Sequence, residues 1–468
     1  MSSTISQLIH WFQKRTIFFR IVAIVVLITG MHDYYEFQRK HLRHAQQKVQ
    51  LDFPAYYLAQ SMTRKRLNLY SLHEIENAAS EEGVQFERFR ANLYSPPFYL
   101  FTLALPHLEI HKAQALFLSI KALLLSALVL ALALYITGME RYRLRPFRKY
   151  RVILLTGLGF WTLGHLNPVV SDFRDGQINV FTLATLVLAL FTERKYPIIS
   201  GVAVTIGGVI KLSPFFLGMK GLLEKRWKLI VSLIISSVTL GLASLIYFGY
   251  DTIHFYVTEV LLGFVTSNQI PVLDWPINHT LNQSFKGLFY RLFISNFDMD
   301  LGGTAVVYYS PVLGKTLTFL TNAACLGSCI YLSHKYTKPM IEDRWKAALV
   351  FSYYVAIMTL VSPLTWYHHQ VVLILPIIVV GFYSILELES SFGILLSLLF
   401  CIWLFSLPPL YVYLDGNHDR FWLTDLLMEN VGRPYRGFSA LYYAKLLANI
   451  ILAFLTLLVI RKERCRAA

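Results

Sequence analysis

Asp52 stands in the run Leu51-Asp52-Phe53-Pro54-Ala55-Tyr56-Tyr57, where Pro54 suits the first turn of a helix and puts the carboxylate at or just before its N-terminus. That place favours the ionised form. An ionised carboxylate among aromatic residues can act as general base toward a hydroxyl; alternatively, it caps the helix. Asp33, just beyond the first apolar run, competes for the same role. Lys211, in Gly207-Gly208-Val209-Ile210-Lys211-Leu212-Ser213-Pro214, is a cation inside an apolar stretch, a placement that costs about 2.5–3.5 kcal/mol on insertion scales. It either meets an anion such as a phosphate at a helix end broken by Pro214 or snorkels to the interface. His368 and His369 close the segment Ser362-Pro363-Leu364-Thr365-Trp366-Tyr367-His368-His369. Adjacent histidines face different ways on a regular helix and so do not share a metal there; one of them can donate to a leaving oxygen, or both pack at the interface. Asp172 to Asn179, Asn278 to Ser284, and Arg291 are further outward positions more polar than a connector needs. Asn278-His279-Thr280 and Asn282-Gln283-Ser284 also match the glycosylation acceptor pattern.

The elements that must position these residues are apolar. Of 468 residues, 55% are hydrophobic and 15% charged, whereas a soluble chain carries about a quarter charged residues. The expectation is an all-α integral membrane protein formed as one polytopic domain over residues 1–468, because no long polar stretch offers room for a second. The net charge of +15 does not point to nucleic acid, since the basic residues fall in short clusters between apolar runs. Those clusters are Arg141, Arg143, Arg145, Arg148, Lys149 and Arg151, then Lys225, Arg226 and Lys228, then Lys335 to Lys346, and a basic tail from Arg461. Short basic loops stay cytoplasmic. The four cysteines have no ligand-type neighbours and read as packing residues. The basic N-terminus followed by Ile21 to Gly30 resembles a signal peptide, but no small-residue cleavage site follows, so it reads as an uncleaved first span.

With the N-terminus in the cytoplasm, about twelve transmembrane helices are expected, near 16–35, 113–137, 152–167, 178–192, 197–211, 213–223, 229–248, 313–333, 347–361, 369–386, 392–413 and 440–460. Both termini are then cytoplasmic. Several runs are shorter than the roughly 20 residues that cross a bilayer core, as helices lining a cavity can be. Residues 96–108, opening on Pro96-Pro97, are expected in the outer interface, because a crossing there would turn the basic cluster 141–151 outward. The outer side then holds a first loop, 36–112, with interfacial helices, a second large loop, 250–312, and a third from Asp415 to Ser439. Phe53, Tyr56, Tyr57 and Gln60 share one face of a helix expected to lie along the membrane surface.

Taken in order, these segments resemble the polytopic glycosyltransferases of family 87, within the GT-C class that uses polyprenyl-phosphate sugars. The resemblance is carried by Asp52-Phe53-x-x-Tyr56-Tyr57-x-Ala59, Tyr94-Ser95-Pro96-Pro97-Phe98, Gly176-Gln177-Ile178-Asn179, Lys211-Leu212-Ser213-Pro214, Asn282-Gln283-Ser284 with Arg291, and Ser362-Pro363-x-x-Trp366-x-His368-His369. It covers roughly residues 50–385; the stretch Leu67 to Asn92 is longer than the family pattern, and the last two spans carry no signature. The resemblance implies an inverting, GT-C-like enzyme. It would move a sugar, mannose first, from a polyprenyl-phosphate donor in the bilayer to a hydroxyl of a glycolipid or glycan. The implied site lies on the periplasmic or extracellular side of a bacterial inner or plasma membrane. By carry-over Asp52 is the base, Lys211, Arg291 and His368 or His369 meet the departing phosphate, and Gln177 and Asn282 orient sugar or phosphate. The leaving group carries its charge on one ester, so no metal and no other cofactor is expected. Two other classes remain as alternatives: a transporter or lipid flippase, whose broken spans also bury cations, and a noncatalytic subunit of an envelope-polysaccharide complex.

Overall fold

A computed structural model describes residues 16–84, 92–103, 108–137, 148–266, 269–270, 275–276, 281–294, 309–342, 344–386, 388–407 and 443–465. Most of the basic cluster 141–151, the third loop expected outside, Asn278 and much of the second, 250–312, fall outside these residues. Among the described residues the chain is helical apart from a ladder of two-residue strands, β1 (Gln269–Ile270) and β2 (Trp275–Pro276).

The chain begins with α1 (Thr16–Gln47), apolar in its first half and charged in its second. The first loop follows as α2 (Phe53–Lys65), α3 (Leu72–Glu81) and α4 (Pro96–Thr102). Next come α5 (Ile110–Thr137), α6 (Arg148–His165), α7 (Asn167–Arg174), α8 (Asn179–Thr192), α9 (Pro197–Ile210), a 3-10 turn (Ser213–Phe215), α10 (Phe216–Leu223) and α11 (Trp227–Phe248). Helix α12 (Tyr250–Phe255) continues through a π-helical turn (Tyr256–Leu261) into α13 (Leu262–Thr266). The remainder is α14 (Phe285–Phe293), α15 (Pro311–Glu342), α16 (Arg344–Val361), a 3-10 segment (Tyr367–Leu373), α17 (Ile374–Leu386), α18 (Leu388–Ser406) and α19 (Ala444–Cys465).

Among the described residues, five helical stretches are long and apolar enough to cross a membrane: Ile110–Ile136, Trp227–Phe248, Pro311–Lys335, Tyr367–Ile385 and Ala444–Glu463. A sixth forms if Val152–His165 and Asn167–Arg174, bent by 60°, make one span. Asn179–Thr192, Pro197–Ile210, Trp345–Val361 and Phe392–Ser406 are apolar but shorter. The run near 213–223, expected to cross, holds a helix α10 of only eight residues, which rises about 12 Å against a core of about 30 Å and is by itself shorter than a full crossing. Helix α4 has seven and is also too short to cross.

Among the described residues, two apolar cores hold most of these helices, beside a small cluster around Tyr290 and Trp366. The larger joins α5, α6 and α8 to α16, α17, α18 and α19 through residues such as Leu132, Leu163, Leu186, Tyr354, Val379 and Leu452. Helices α1 and α6 approach through glycine, since a Cβ on Gly157 would lie 2.6 Å from Leu27 Cα. The smaller core gathers α2, α3 and α4 around Leu58, Tyr70 and Tyr99, with Tyr256 and Val260 of the π-helical turn. Helix α2 is buried from Phe53 to Thr63 except at Ala55, which is half-buried on the cavity side. It is therefore not the one-faced surface helix expected from the Phe53–Gln60 stripe, because α3 and α4 fold over its other sides.

Candidate active site

Asp52 occupies the N-cap of α2, yet its side chain makes no capping hydrogen bond. The cap is left to Pro54 near the helix start, whose missing N–H needs no acceptor. The carboxylate instead accepts from Gln177 Nε2 at 2.5 Å, and the Asp52 backbone N–H donates to Asp175 O at 2.8 Å. Both partners lie in the turn between α7 and α8, where Gly176 has φ +74° and a Cβ would meet Gln50 Oε1 at 2.8 Å and Phe53 Cβ at 2.9 Å. Only glycine lets this turn come so close to the start of α2. The other end of the Gln177 amide accepts from Tyr94 Oη at 3.2 Å and Tyr56 Oη at 3.3 Å, and the two phenols are 2.6 Å apart. Burial, more than their charged surroundings, pushes both phenols well above the ordinary tyrosine value. They therefore stay protonated; one phenol donates to the other and the second to the Gln177 carbonyl, which leaves the amide N–H for Asp52.

Lys211 ends α9, where the helix stops ahead of Pro214. Its Nζ lies 2.9 Å from His369 Nε2 and 5.0 Å from the centre of the Tyr94 ring. An ammonium has no acceptor, so Nε2 accepts and the imidazole proton sits on Nδ1, 3.4 Å from Leu364 O. Trp366 stacks on His369 with planes 16° apart, and His368 meets it edge-on at 68°. Both histidines lie in the 3-10 segment that follows Trp366, and both rings pack on the Trp366 ring, His369 face-on and His368 edge-on. Ser95 Oγ donates to Val209 O at 2.6 Å, tying the Tyr94-Ser95-Pro96 corner to the last turn of α9 beside Lys211.

These groups line one cavity of about 450 Å³, walled by Asp52, Tyr56, Tyr94, Gln177, Lys211, His368 and His369. Apolar residues including Leu212, Phe216, Leu261, Phe264, Met358 and Val361 complete it. Polar groups of both signs thus face a space that continues between apolar helix surfaces. Asp33 does not line it; its side chain is 39% exposed and lies 3.6 Å from His32 Nδ1.

Asn282 and Arg291 are not on the cavity wall but one layer behind it. Asn282 is fully buried; its Nδ2 donates to Pro363 O at 3.0 Å and its Oδ1 accepts from Thr365 N at 3.0 Å and Ser284 N at 3.2 Å. Arg291 donates to Asn282 O at 3.0 Å, and Gln283 N to Thr365 O at 2.7 Å. Pro363 breaks the helix and frees backbone groups that the 282–284 segment then satisfies. These side chains fasten the loop that carries His368 and His369, and a buried Asn282 offers no glycan acceptor.

Lys121 is a residue the sequence reading passes over, although it carries the same signal as Lys211, a cation inside an apolar run. Its Nζ pairs with Asp172 Oδ2 at 2.7 Å, both side chains being wholly buried, and lies 4.4 Å from the Phe173 ring centre. Asp172 Oδ1 accepts from Asn179 N at 3.1 Å and Asn179 Nδ2 at 2.8 Å. Tyr56, Tyr94 and Trp366 are further wall residues whose contacts sequence alone could not assign, though each sits inside a motif.

The sequence profile described as Glycosyltransferase family 87 matches residues 92–363, more than half of the chain. A search among curated proteins finds no match.

Proposed function

The chain belongs to glycosyltransferase family 87, and from that premise we propose that it moves a sugar, mannose first, from a polyprenyl-phosphate donor to a hydroxyl of a glycolipid or glycan, with inversion. The observation that carries this reading is the single cavity faced by the Asp52 carboxylate and by the Lys211–His369 pair, with apolar walls between them and the helix surfaces. Asp52 accepts the proton of the acceptor hydroxyl as that oxygen bonds to the anomeric carbon. The bond from the anomeric carbon to the phosphate oxygen breaks in the same displacement, and the phosphate keeps the electron pair. Lys211 meets the charge that develops on it, and His369 holds the ammonium in place through its Nε2 acceptor. His368, also on the wall, is the second phosphate-side group. Gln177 orients Asp52; Asn282 and Arg291 act by holding the 362–369 loop. One carbon–oxygen bond is exchanged for another at the anomeric carbon and the leaving group is a phosphate monoester, so the reading includes no metal and no other cofactor.

The same reading comprises about twelve crossings, cytoplasmic termini, and a single domain whose 36–112 and 250–312 loops enclose the site on the periplasmic or extracellular face of a bacterial plasma membrane. The short helices that line the cavity suit this. The test is purified protein in proteoliposomes with a panel of polyprenyl-phosphate hexoses and a membrane glycolipid extract. Release of polyprenyl phosphate with sugar appearing on the acceptor is the expected result. Movement of intact donor between leaflets without cleavage would replace transfer by transport.

A further inference from the structure

Lys121 and Asp172 are both wholly buried, with Nζ 2.7 Å from Oδ2, and neither lines the cavity. A buried ion pair is seldom more stabilising than apolar residues of the same volume. Stability alone therefore does not account for it, and what the pair holds is informative. Lys121 Nζ donates also to Asp172 O at 2.8 Å, the same carbonyl that accepts from Gln177 N at 2.9 Å. Asp172 Oδ1 receives both N–H groups of Asn179 at the first residue of α8. The six residues between Lys121's partner, Asp172, and the start of α8 thus have one end fastened to α5. Asp175 O and the Gln177 side-chain amide, further along the same turn, are the groups that grip Asp52.

We propose that Lys121 and Asp172 are positioning residues for the transfer: they lock the 172–179 turn to α5 so that Gln177 and Asp175 hold the Asp52 carboxylate toward the acceptor hydroxyl. The inference rests on Asp52 being the base. A cation and an anion suit this task better than an apolar contact, because charge-assisted bonds fix direction as well as distance. Lys121 reaches the carboxylate and the carbonyl of the same residue, so the turn can neither slide nor rotate without breaking both.

The experiment is a double-mutant cycle between the pair and Gln177. Lys121→Met/Asp172→Asn removes both charges together and leaves no uncompensated buried charge. On folded protein, with a polyprenyl-phosphate hexose that the wild type turns over, kcat should fall about tenfold or more while donor KM changes less than about threefold. Gln177→Ala should also lower kcat, but adding it to the pair variant should cost less than about a further threefold, since its hold on Asp52 is already lost. A purely structural pair would lower the melting temperature and leave kcat per folded molecule unchanged, or give effects that multiply; either result overturns the inference. Asp52→Asn in the same series separates the two levels. If it keeps turnover, the base assignment has failed; if it is inactive while the effects multiply, the positioning role alone has failed. Carbodiimide labelling of Asp52, read by peptide mass spectrometry, gives a readout independent of the sugar. Labelling should speed up in the pair variant and no further on adding Gln177→Ala. Should the pair variant not fold, Asn179→Ala, which removes one bond to Asp172, goes through the same cycle with the same criteria.

Discussion

Replacing Asp52 by asparagine removes a charge and the basic lone pair while keeping the shape of the side chain, and the structure separates what that does to catalysis from what it does to folding. Because the side chain makes no capping bond, no cap is lost. The bond from Gln177 Nε2 at 2.5 Å changes from charge-assisted to neutral, a loss of about 1–1.5 kcal/mol. Loss of a general base slows turnover by about 10²–10⁴-fold, or about 2.7–5.4 kcal/mol in the barrier. The kinetic effect therefore exceeds the stability effect, and melting temperature should fall by only a few degrees. The assay is release of polyprenyl phosphate from a labelled donor, with donor KM measured beside kcat. Donor KM should change little, since the phosphate-side groups are elsewhere on the wall. Asp33→Asn is the control, as that side chain lies outside the cavity, and it should keep near-normal rates. Turnover of Asp52→Asn within about threefold of wild type, with equal stability, would refute the assignment. Loss of activity in Asp33→Asn instead would move the base to α1.

Lys211→Met should insert and fold, as an apolar side chain is easier to bury, but raise donor KM by about 10–100-fold, the worth of one charge-assisted bond to a phosphate; unchanged donor kinetics would leave Lys211 without a role in binding. Gly176→Ala should lower both melting temperature and kcat, because φ is +74° and the Cβ would meet Gln50 and Phe53 within 3 Å. Gly83→Ala, at φ +64° with nothing within 4 Å of its Cβ, measures the backbone strain alone, about 1 kcal/mol. Equal kcat in the two alanine variants would mean that the turn does not position Asp52. Asn282→Ala strips bonds from the 363–365 backbone and should destabilise by about 2–4 kcal/mol. Its kcat should fall more than donor KM rises, which a direct phosphate ligand would reverse.

What was legible in sequence depended on whether a residue's local pattern carried its role. Lys211 could be singled out because a cation in an apolar run is costly wherever it sits, and Pro214 marked the helix end that exposes it. Asp52 could be placed at a helix start, but spacing could not say whether the carboxylate caps that helix or turns away from it; the deciding atom is Gln177 Nε2, 125 residues further along the chain. The same limit applies to Asn282 and Arg291. Polarity in an outward segment marks them equally for ligand contact or for fastening another loop, and their partners at 363–365 are visible only in the fold. Arg226, read as part of a cytoplasmic basic cluster, is also committed, to Glu224 at 2.7 Å. Net charge patterns count such a residue as free when its neighbours in space have already neutralised it.

The broken helices tie the fold to the chemistry. The break between α6 and α7 begins at Leu166, that between α7 and α8 holds Gln177, that after α9 holds Lys211, and that after α16 leads to His368 and His369. Each interruption leaves backbone groups without helical partners, which in an apolar surrounding must find others. Asp175 O finds Asp52 N, Thr365 finds Asn282 and Gln283, and Val209 O finds Ser95 Oγ. The freed groups are thus spent on joining the first loop and the 282–284 segment to the membrane helices. Full-length spans would satisfy their own backbones and give those segments nothing to bind. Short runs that fit an uninterrupted crossing poorly are therefore the means by which residues separated by more than 300 positions, Asp52 and His369 among them, come to face the same cavity.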